Sequence, residues 1–579
     1  MGYFLVKELF AELDSKNIAV TQKRPEYLEW LGPNLTGITK EFVKRNRLSD
    51  SYFVKRANSA FKTNHFENLL NRWIVEYFFK FFNTLDDFLV SNPQLNKALE
   101  LEDNPLHRFG AEKYYSRFGV LPKIQWKGQP CASGRSFSIF LRCLIIFYHS
   151  LDRGMRLSYK RKRYVLMREA IWGLHDIQGY YFHDDFLVDG NKIKKDDLLL
   201  FSRGVPIEEG RLKGYQDTKR SSYAHFDLML LPIGINSLFF RIIPKYILLF
   251  SFIFFREISS RHFSLYWSIY LYFAYTALPY EKVFSHFKII SELGHNYFSI
   301  SHIPEAIVCQ NNGAKYYLMH WSDNSLMINS YLLSFLACDS FLLWGEAHAQ
   351  CLKDVDAQAI IFTGYPFKSF IKKVMLDRHK ILREMGISAK GKIVSFFDEA
   401  FGGHCKMTEE HYVTIWETAS RLAETEKGVT VLLKPKWRGI HEGLSGGLKN
   451  RFLDIKNSLE KMQNVYLLDA DAWSFIEVIG VSDIVVTQGM TSSATIAIIC
   501  GIEGLYLDQA KYNHPFSKLF KDRIVFDDPE KLLSMIQKIV KGTENPLSDI
   551  PEDVLRAYDA YDDDRGIGMF RDILTNNRY

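Results

Sequence analysis

The sequence is poor in the features that mark secreted, disulfide-bonded or nucleic-acid-binding proteins. Its 579 residues include only 7 cysteines, none in a CxxC pair, which argues against a zinc ribbon or a disulfide framework and favours a reducing compartment. The net charge is only +6, so a dedicated nucleic-acid binder is not expected. Lys7 interrupts the first apolar stretch, so we also expect no secretory signal.

Hydrophobic runs long enough to cross a membrane are also missing. Tyr246–Phe255 is intensely apolar but only ten residues long, between Lys245 and Arg256. Phe263–Tyr280 carries no charge but contains five tyrosines. A spanning helix needs roughly 20 apolar residues. Both stretches are therefore predicted to be buried elements of a large core, with a peripheral membrane face as the alternative.

A run of cations upstream agrees with the peripheral alternative. It consists of Arg153, Arg156, Lys160, Arg161, Lys162, Arg163 and Arg168. Such residues are attracted to anionic lipid headgroups by about 1 kcal/mol per charge near the surface. The run is equally typical of a solvated helix face, so both interpretations stay open.

The hydrophobic pattern changes along the chain and predicts its division into domains. In the N-terminal part, apolar residues recur at three- and four-residue spacing, which indicates helices. Further on, short apolar strands end in Gly, Ser or His and are separated by gaps of helix length, which indicates parallel α/β sheets. The pattern predicts a mostly helical extension, a first Rossmann-like domain, a second Rossmann-like domain and a helical tail, over residues 1–170, 171–385, 386–545 and 546–579.

Individual elements are also predicted. Strands are expected at residues 197–202, 286–290, 296–300, 313–320, 339–345, 359–366, 392–397, 429–436, 465–469, 483–488 and 504–508. Helices are expected at residues 367–385 and 409–427, from residue 472, and at residues 491–500. Two such α/β domains facing a cleft correspond to the glycosyltransferase-B arrangement. In open parallel sheets, ligands bind beyond the carboxyl ends of the strands.

The clearest candidate site lies where one predicted strand ends at Gln488 and the chain turns at Gly489. Thr491, Ser492 and Ser493 then open a helix. The first turn of a helix offers N–H groups and a partial positive charge, both of which suit a phosphate. Ordinary helix capping by a hydroxyl is the alternative interpretation.

A second candidate is a group of cations at the end of another strand of the same domain. Lys434 and Lys436 lie at the end of that strand and Arg438 just beyond it, and Pro435 ends its hydrogen-bonding ladder. These side chains are predicted to neutralise a phosphate leaving group. A solvated loop is the alternative.

A third candidate is the loop after the first strand of the second domain. Glu399 lies in this loop, and Gly402 and Gly403 would let the backbone approach a ligand closely. Together with the hydroxyl and cation segments, it completes a predicted donor-binding site on the second domain.

Candidate catalytic residues come from the first domain. His320 ends one predicted strand, Asp323 lies just beyond it, and Glu346 follows the next strand, so each is a candidate to take a proton from an acceptor hydroxyl. For each of the three, a structural role in the core or in a loop is the alternative interpretation. Asp469 and Asp471 form a DxD pattern, but they precede a helix, where Asp471 is expected to act as a cap. No metal site is therefore predicted.

The order of these motifs resembles that of bacterial surface-polysaccharide biosynthesis proteins named for a Pro-Phe-Thr-Ser motif. The resemblance covers residues 195–545 and depends on Gly313–His320, Trp344–Glu346, Gly364–Pro366, Lys434–Lys436, Thr491–Ser493, Gly501 and Asp508. The basic-residue–Pro and Ser/Thr elements are also similar to those of bacterial sialyl- and Kdo-transferases. Those enzymes use CMP-activated sugars.

The resemblance implies a metal-independent glycosyltransferase with a glycosyltransferase-B-like fold. It would move a sugar from a nucleotide-activated donor, with CMP-linked Kdo or sialic acid favoured, to a growing capsule or lipopolysaccharide O-antigen chain. The partners implied are the nucleotide sugar, a lipid-linked or oligosaccharide acceptor and the inner-membrane surface, with no cofactor and no nucleic acid. A cytoplasmic location, either free or peripheral on the inner membrane face, would fit. The alternatives are a polyol-phosphate transferase, a nucleotide-sugar epimerase, or a non-catalytic polysaccharide assembly component.

Overall fold

The structure of the protein is a computed structural model. It describes residues 25–91, 98–102, 104–127, 162–169, 187, 191–202, 224–227, 244–251, 253, 262–295, 297–323, 333–352, 355–402, 406–436, 439–470, 472–561 and 565–575. Within these residues the chain forms a helical N-terminal segment, two α/β domains built on parallel sheets, and two C-terminal helices.

The described N-terminal segment is mostly helical, as the sequence predicts. Its helices are α1 (Pro25–Arg45), α2 (Tyr52–Phe61), α3 (His65–Ser91) and α4 (Pro105–Phe118). A parallel strand pair, β1 (Ala98–Glu102) and β2 (Lys123–Lys127), accompanies them. Aromatic side chains fill the space between the helices; the rings of Phe42 and Phe109, for example, lie 5.2 Å apart.

The first domain is built on a parallel sheet that has seven strands in the described part of the chain. These strands are β3 (Lys162–Glu169), β4 (Leu198–Ser202), β5 (Ala224–Asp227), β6 (Phe287–Gly294), β7 (Lys315–Met319), β8 (Ala337–Leu343) and β9 (Asp356–Phe362). Their order is β5-β4-β3-β6-β7-β8-β9, which reverses between β3 and β6. The helices of this domain include α5 (Phe263–His286), α6 (His302–Asn311) and α7 (Glu346–Ala349).

The second domain repeats this topology with six strands among the described residues. They are β10 (Ile393–Phe397), β11 (Thr430–Lys434), β12 (Val465–Leu467), β13 (Ile484–Gln488), β14 (Glu503–Leu507) and β15 (Val525–Phe526). Their order is β12-β11-β10-β13-β14-β15, all parallel, with the reversal between β10 and β13. The two sheets give the Rossmann-like, glycosyltransferase-B-like fold that the sequence predicts.

Short helices connect the strands and complete the layers of the second domain. The helices are α8 (Lys368–Leu376), α9 (Arg378–Glu384), α10 (Glu409–Thr425), α11 (Gly446–Leu459), α12 (Phe475–Val481), α13 (Ser492–Ile499), α14 (Pro515–Leu519) and α15 (Pro529–Val540). Strands β10, β11 and β13 are buried along their whole length. Strands buried on both faces are continuous apolar runs, which is why the sequence located them well.

The C-terminal helices α16 (Glu552–Tyr558) and α17 (Arg565–Thr575) pack against the first domain. The Ser291 hydroxyl on β6 donates a hydrogen bond to the backbone oxygen of Leu574, at 2.9 Å. Between the two helices, Asp559 accepts hydrogen bonds from the Tyr365 backbone N–H, at 2.8 Å, and from the Lys368 ammonium, at 2.6 Å. The chain therefore returns to the first domain after completing the second.

The predictions for the basic run and for one strand need correction. Lys162, Arg163 and Arg168 belong to β3, which is an inner strand of the first sheet and precedes residue 171, so they do not lie on a helix face. The other four residues of the run lie outside the described residues. The strand expected at 296–300 is wrong, because residues 297–300 form the turn that leads from β6 into α6.

The structure describes one of the two apolar stretches completely and the other in part. Phe263–His286 forms the single helix α5, whose Ile269, Phe273 and Ala277 are fully buried. In the other stretch, residues 244–251 are helical, with Tyr246 and Leu249 buried. In the described part of the chain, no helix combines the length and the apolar character that crossing a bilayer requires.

Candidate functional site

The two domains meet where the carboxyl ends of their strands face each other. The loop after β7 contains Asp323, whose backbone N–H donates a hydrogen bond to the Ser492 hydroxyl oxygen, at 3.0 Å. The Thr495 hydroxyl donates to the Asp323 carboxylate, at 2.5 Å. Because Ser492 and Thr495 lie on α13, the helix that follows β13, these contacts join the strand-end loops of the two sheets directly.

Helix α13 begins at the site that the sequence singled out. Thr491 is in an extended conformation immediately before the helix, and its side chain makes no capping hydrogen bond. Thr491, Ser492 and Ser493 are all partly exposed. The preceding turn uses Gly489 with φ of +62°, a conformation that favours glycine. The helix start therefore remains accessible, with its first N–H groups not capped by Thr491.

Two of the predicted donor residues meet at the point where the strand order of the second sheet reverses. Glu399 follows β10, and its backbone N–H donates a hydrogen bond to the Gln488 side-chain oxygen at the end of β13, at 3.0 Å. Gln488 is 1% exposed, and its amide nitrogen has no hydrogen-bond partner among the described residues. The structure thus brings the predicted residues Glu399 and Gln488 together at the reversal point.

Lys436 completes this group from the end of β11. Its ammonium forms an ion pair with the Glu399 carboxylate, and its backbone N–H donates to Asp398, at 2.6 Å. The Lys436 side chain is 38% exposed, so a ligand anion can reach it. Burial raises the pKa of Asp398 to about 6, although the hydrogen bond from Lys436 lowers it.

The other predicted donor residues are placed differently. Lys434 is buried, and its ammonium donates hydrogen bonds to the backbone oxygens of Pro435, at 3.0 Å, and Ala470, at 2.8 Å. Gly402 has φ of +74° and open space where a side chain would be. Arg438 and Gly403 lie outside the described residues, so their roles stay predictions.

Asp508, at the end of β14, lies on the other side of the α13 start. It accepts a hydrogen bond from the Tyr512 backbone N–H, at 2.8 Å. Burial raises its pKa to about 6, while nearby His514 and Lys406 act in the opposite direction. Lys406 also lies 5.9 Å from the centre of the Tyr512 ring. It is a cation near Asp508 that the sequence patterns did not single out.

The predicted catalytic residues differ in their exposure to solvent. His320 and Asp323 are both buried, whereas Glu346 is exposed in the first turn of α7. Two histidines that the sequence analysis missed lie near them. His348 Nδ1 is 3.6 Å from one Asp323 carboxylate oxygen, and His514 Nε2 is 3.4 Å from the other. Both follow strands that were predicted correctly, so their position just beyond a strand end was the available signal.

Burial lowers the pKa values of two histidines of the first domain. The rings of His320 and His348 are 4.4 Å apart. Burial lowers the pKa of His320 well below its usual value, and His348 lowers it further, while Asp323 acts in the opposite direction. Burial also lowers the pKa of His348. In the described part of the chain, no group of His, Cys, Asp and Glu side chains is arranged to hold a metal ion.

Comparisons with known proteins find only solved structures of low sequence identity. No protein-family model matches the chain, and no curated protein matches it. Among solved structures, the wall teichoic acid polymerase TagF is 9% identical with a TM-score of 0.41, over 76% of this chain and 97% of that one. A UDP-N-acetylglucosamine 2-epimerase from Rickettsia bellii is 11% identical with a TM-score of 0.40, over 72% and 97%.

A third solved structure is of a different kind. The N-terminal domain of a trehalose-6-phosphate phosphatase from Candida albicans is 12% identical with a TM-score of 0.37, over 71% of this chain and 99% of that one. At such low TM-scores and identities, these similarities carry no argument of their own. The description of the site therefore depends on the strand order and contacts of this chain.

Proposed function

We propose that the chain is a glycosyltransferase that transfers a sugar from a nucleotide-activated donor to a bacterial surface polysaccharide. One observation carries the proposal: the carboxyl ends of two doubly wound parallel sheets meet, and polar groups converge at the reversal point of the second sheet. Ligands of open α/β sheets bind outside the carboxyl ends of the strands, at such a reversal point. Glu399, Lys436, Gln488 and the start of α13 would form the donor site.

The donor phosphate would lie between Lys436 and the start of α13. A cation and helix N–H groups stabilise the charge that develops on the leaving phosphate as the bond to the anomeric carbon breaks. The Lys436 ammonium pairs with the Glu399 carboxylate, so a phosphate that drew Lys436 away would leave this carboxylate to accept hydrogen bonds from sugar hydroxyls. The resemblance of the Lys-Pro and Ser/Thr elements to those of sialyl- and Kdo-transferases favours a CMP-linked donor.

The acceptor would bind against the first domain. The acceptor oxygen attacks the anomeric carbon while a base takes its proton. We assign this role to His320, which directly follows β7 at the edge of the first sheet that faces the second domain. His320 is only 1% exposed, so the domains would have to move apart for the acceptor to enter and close again to exclude water.

The first test is nucleotide binding. In a thermal-shift screen with CMP, CDP, UDP and GDP, the nucleotide of the donor is expected to raise the unfolding midpoint, because binding stabilises the folded state. Lys436→Ala and Ser493→Ala should reduce that rise. Lys456→Ala is the matched control. Lys456 lies on α11 and pairs with Glu460, which directly follows that helix, so this variant should leave the rise in the unfolding midpoint unchanged.

The second test is product analysis with CMP-, CDP- and UDP-linked donors. Sugar transfer to an acceptor would support the proposal. A product that carries a polyol phosphate, or an epimerised nucleotide sugar, would instead assign one of the two enzymatic alternatives. If none of the four nucleotides raises the midpoint, the enzymatic proposal is wrong and a non-catalytic assembly role replaces it.

A further inference from the structure

The Asp323 carboxylate is an unusual group for a boundary between two domains. Its side chain is 1% exposed, although it lies in a loop at the end of β7. A buried carboxylate is costly unless hydrogen bonds and opposite charges compensate it. The groups around Asp323 therefore decide whether this arrangement of the domains is stable.

Several of those groups belong to the other domain. The Thr495 hydroxyl donates to one carboxylate oxygen, at 2.5 Å, and His514 Nε2 lies 3.4 Å from the same oxygen. His348 of the first domain faces the second oxygen, at 3.6 Å. The backbone N–H of Asp323 also donates to Ser492. A carboxylate of the first domain is thus contacted from the second domain by Thr495 on α13 and by His514, just before α14.

Thr495 is itself held in place from within the second domain. Its hydroxyl lies 2.8 Å from the Tyr506 hydroxyl on β14. Gly504, two residues earlier on β14, lets α13 lie close to the sheet, because a Cβ there would be 2.5 Å from the backbone oxygen of Ala494. The partner of Asp323 is therefore a rigid element that moves only with its domain.

We propose that Asp323 is a positioning residue that latches the start of α13 to the first domain and so holds the two domains in their closed arrangement. It acts through Thr495 and Ser492 and is not the base that takes the acceptor proton. When the domains separate, the carboxylate exchanges the Thr495 hydroxyl for water. The latch itself does not depend on the proposed function; only the statement that it positions a donor-binding helix does.

The test is hydrogen exchange of the full-length protein combined with solution X-ray scattering. Thr495→Val removes the hydroxyl and keeps the shape, and Asp323→Asn removes the charge. Each is expected to speed amide exchange about tenfold or more, both in residues 320–323 and in residues 491–496, because a buried partner is lost. The radius of gyration should increase in both variants. The double variant should add little to either single variant, because both break the same interaction.

Asp339→Asn is the matched control. Asp339 is also a buried carboxylate at the level of the first sheet, but its partners, the Lys315 ammonium and the Tyr316 backbone N–H, belong to its own domain. This variant should speed exchange locally and leave residues 491–496 unchanged. Thr495→Ser should restore the wild-type exchange of both segments, which a loss of packing alone would not permit.

Two results would overturn the latch. One is wild-type exchange of both segments in Thr495→Val and Asp323→Asn; the other is faster exchange confined to the mutated domain. Where sugar transfer is detected, Thr495→Val should also lower kcat/KM while the pH profile of kcat keeps its shape. Where no transfer is detected with any donor, the proposed function fails but the exchange and scattering results still decide the latch.

Discussion

At the scale of single residues, the site depends on contacts between distant parts of the chain. The sequence identified Lys434 and Lys436 as equivalent cations after one strand. The structure separates them, because the Lys434 ammonium bonds to the backbone oxygen of Ala470, whereas Lys436 turns to Glu399. Glu399 and Gln488 could be predicted from their strand ends alone. The surroundings of Asp323 could not, because they come from three separate segments.

The lowered pKa of His348 leads to a prediction about pH. Burial lowers the pKa of His348 in the folded protein, and Asp323, His320, His514 and Tyr558 face its ring. In the unfolded chain a histidine has a pKa of about 6.5. As the pH falls below that value, the unfolded chain binds the proton first, so the free energy of unfolding falls by up to about 1.4 kcal/mol per pH unit for each such group.

His348→Asn should remove this contribution. Urea unfolding of the wild type and of His348→Asn between pH 7.5 and 5.5 should show the wild type losing stability relative to the variant as the pH falls. His379→Asn, which changes an exposed histidine on α9, should follow the wild-type pH dependence. Parallel curves for the wild type and His348→Asn would show that His348 does not resist protonation in the folded state.

At the scale of elements, the sequence predicted most strands of the two sheets but missed one at the centre. Strands such as β10 and β13 are continuous apolar runs, which stand out in any sequence. Strand β3 was not predicted, because Lys162, Arg163 and Arg168 give it the charge pattern of a polar surface segment. It pairs with both β4 and β6, and sheet pairing of this kind cannot be deduced from a local pattern.

The packing of α13 on β14 can be tested at Gly504. A Cβ at this position would lie 2.5 Å from the Ala494 backbone oxygen and 2.7 Å from Ile498, so the helix must shift. We expect Gly504→Ala to lower the free energy of unfolding by about 1–3 kcal/mol, as overpacking does, and to weaken nucleotide binding. Chemical denaturation and the thermal-shift screen would measure the two effects.

Gly447→Ala is the control for this change. Gly447 is exposed near the start of α11, and a Cβ there would contact nothing within 4 Å. Because alanine restricts the unfolded chain, this variant should keep or raise stability, by up to about 1 kcal/mol. If Gly504→Ala behaves like Gly447→Ala, then α13 is not held against the sheet as closely as the structure shows.

At the scale of the whole molecule, the C-terminal helices tie the end of the chain to the first domain. Phe570 on α17 is 1% exposed and lies in a core that includes side chains from both domains. Phe570→Ala should therefore cost about 3–5 kcal/mol of stability. Hydrogen exchange should accelerate in β6 of the first domain, although the mutation follows the second domain in sequence.

An exposed residue of the same C-terminal region provides the comparison. Arg556 on α16 forms an ion pair with Glu552, and both side chains are more than two-thirds exposed, at 68% and 73%. Arg556→Ala should change stability by less than about 1 kcal/mol, as is usual for surface pairs. Unchanged exchange in β6 for Phe570→Ala would mean that α17 does not support the first domain.

The proposed function requires a nucleotide to bind beyond the carboxyl ends of the second sheet, beside the latch between the domains. Photolabelling with a photoreactive CMP analogue, followed by mapping of the labelled peptides, tests it most directly. Label is expected in peptides that contain Glu399, Lys436 or residues 488–493, and excess unmodified CMP should compete it away. Label confined to other surfaces, or label that CMP, CDP, UDP and GDP all fail to displace, would contradict the account.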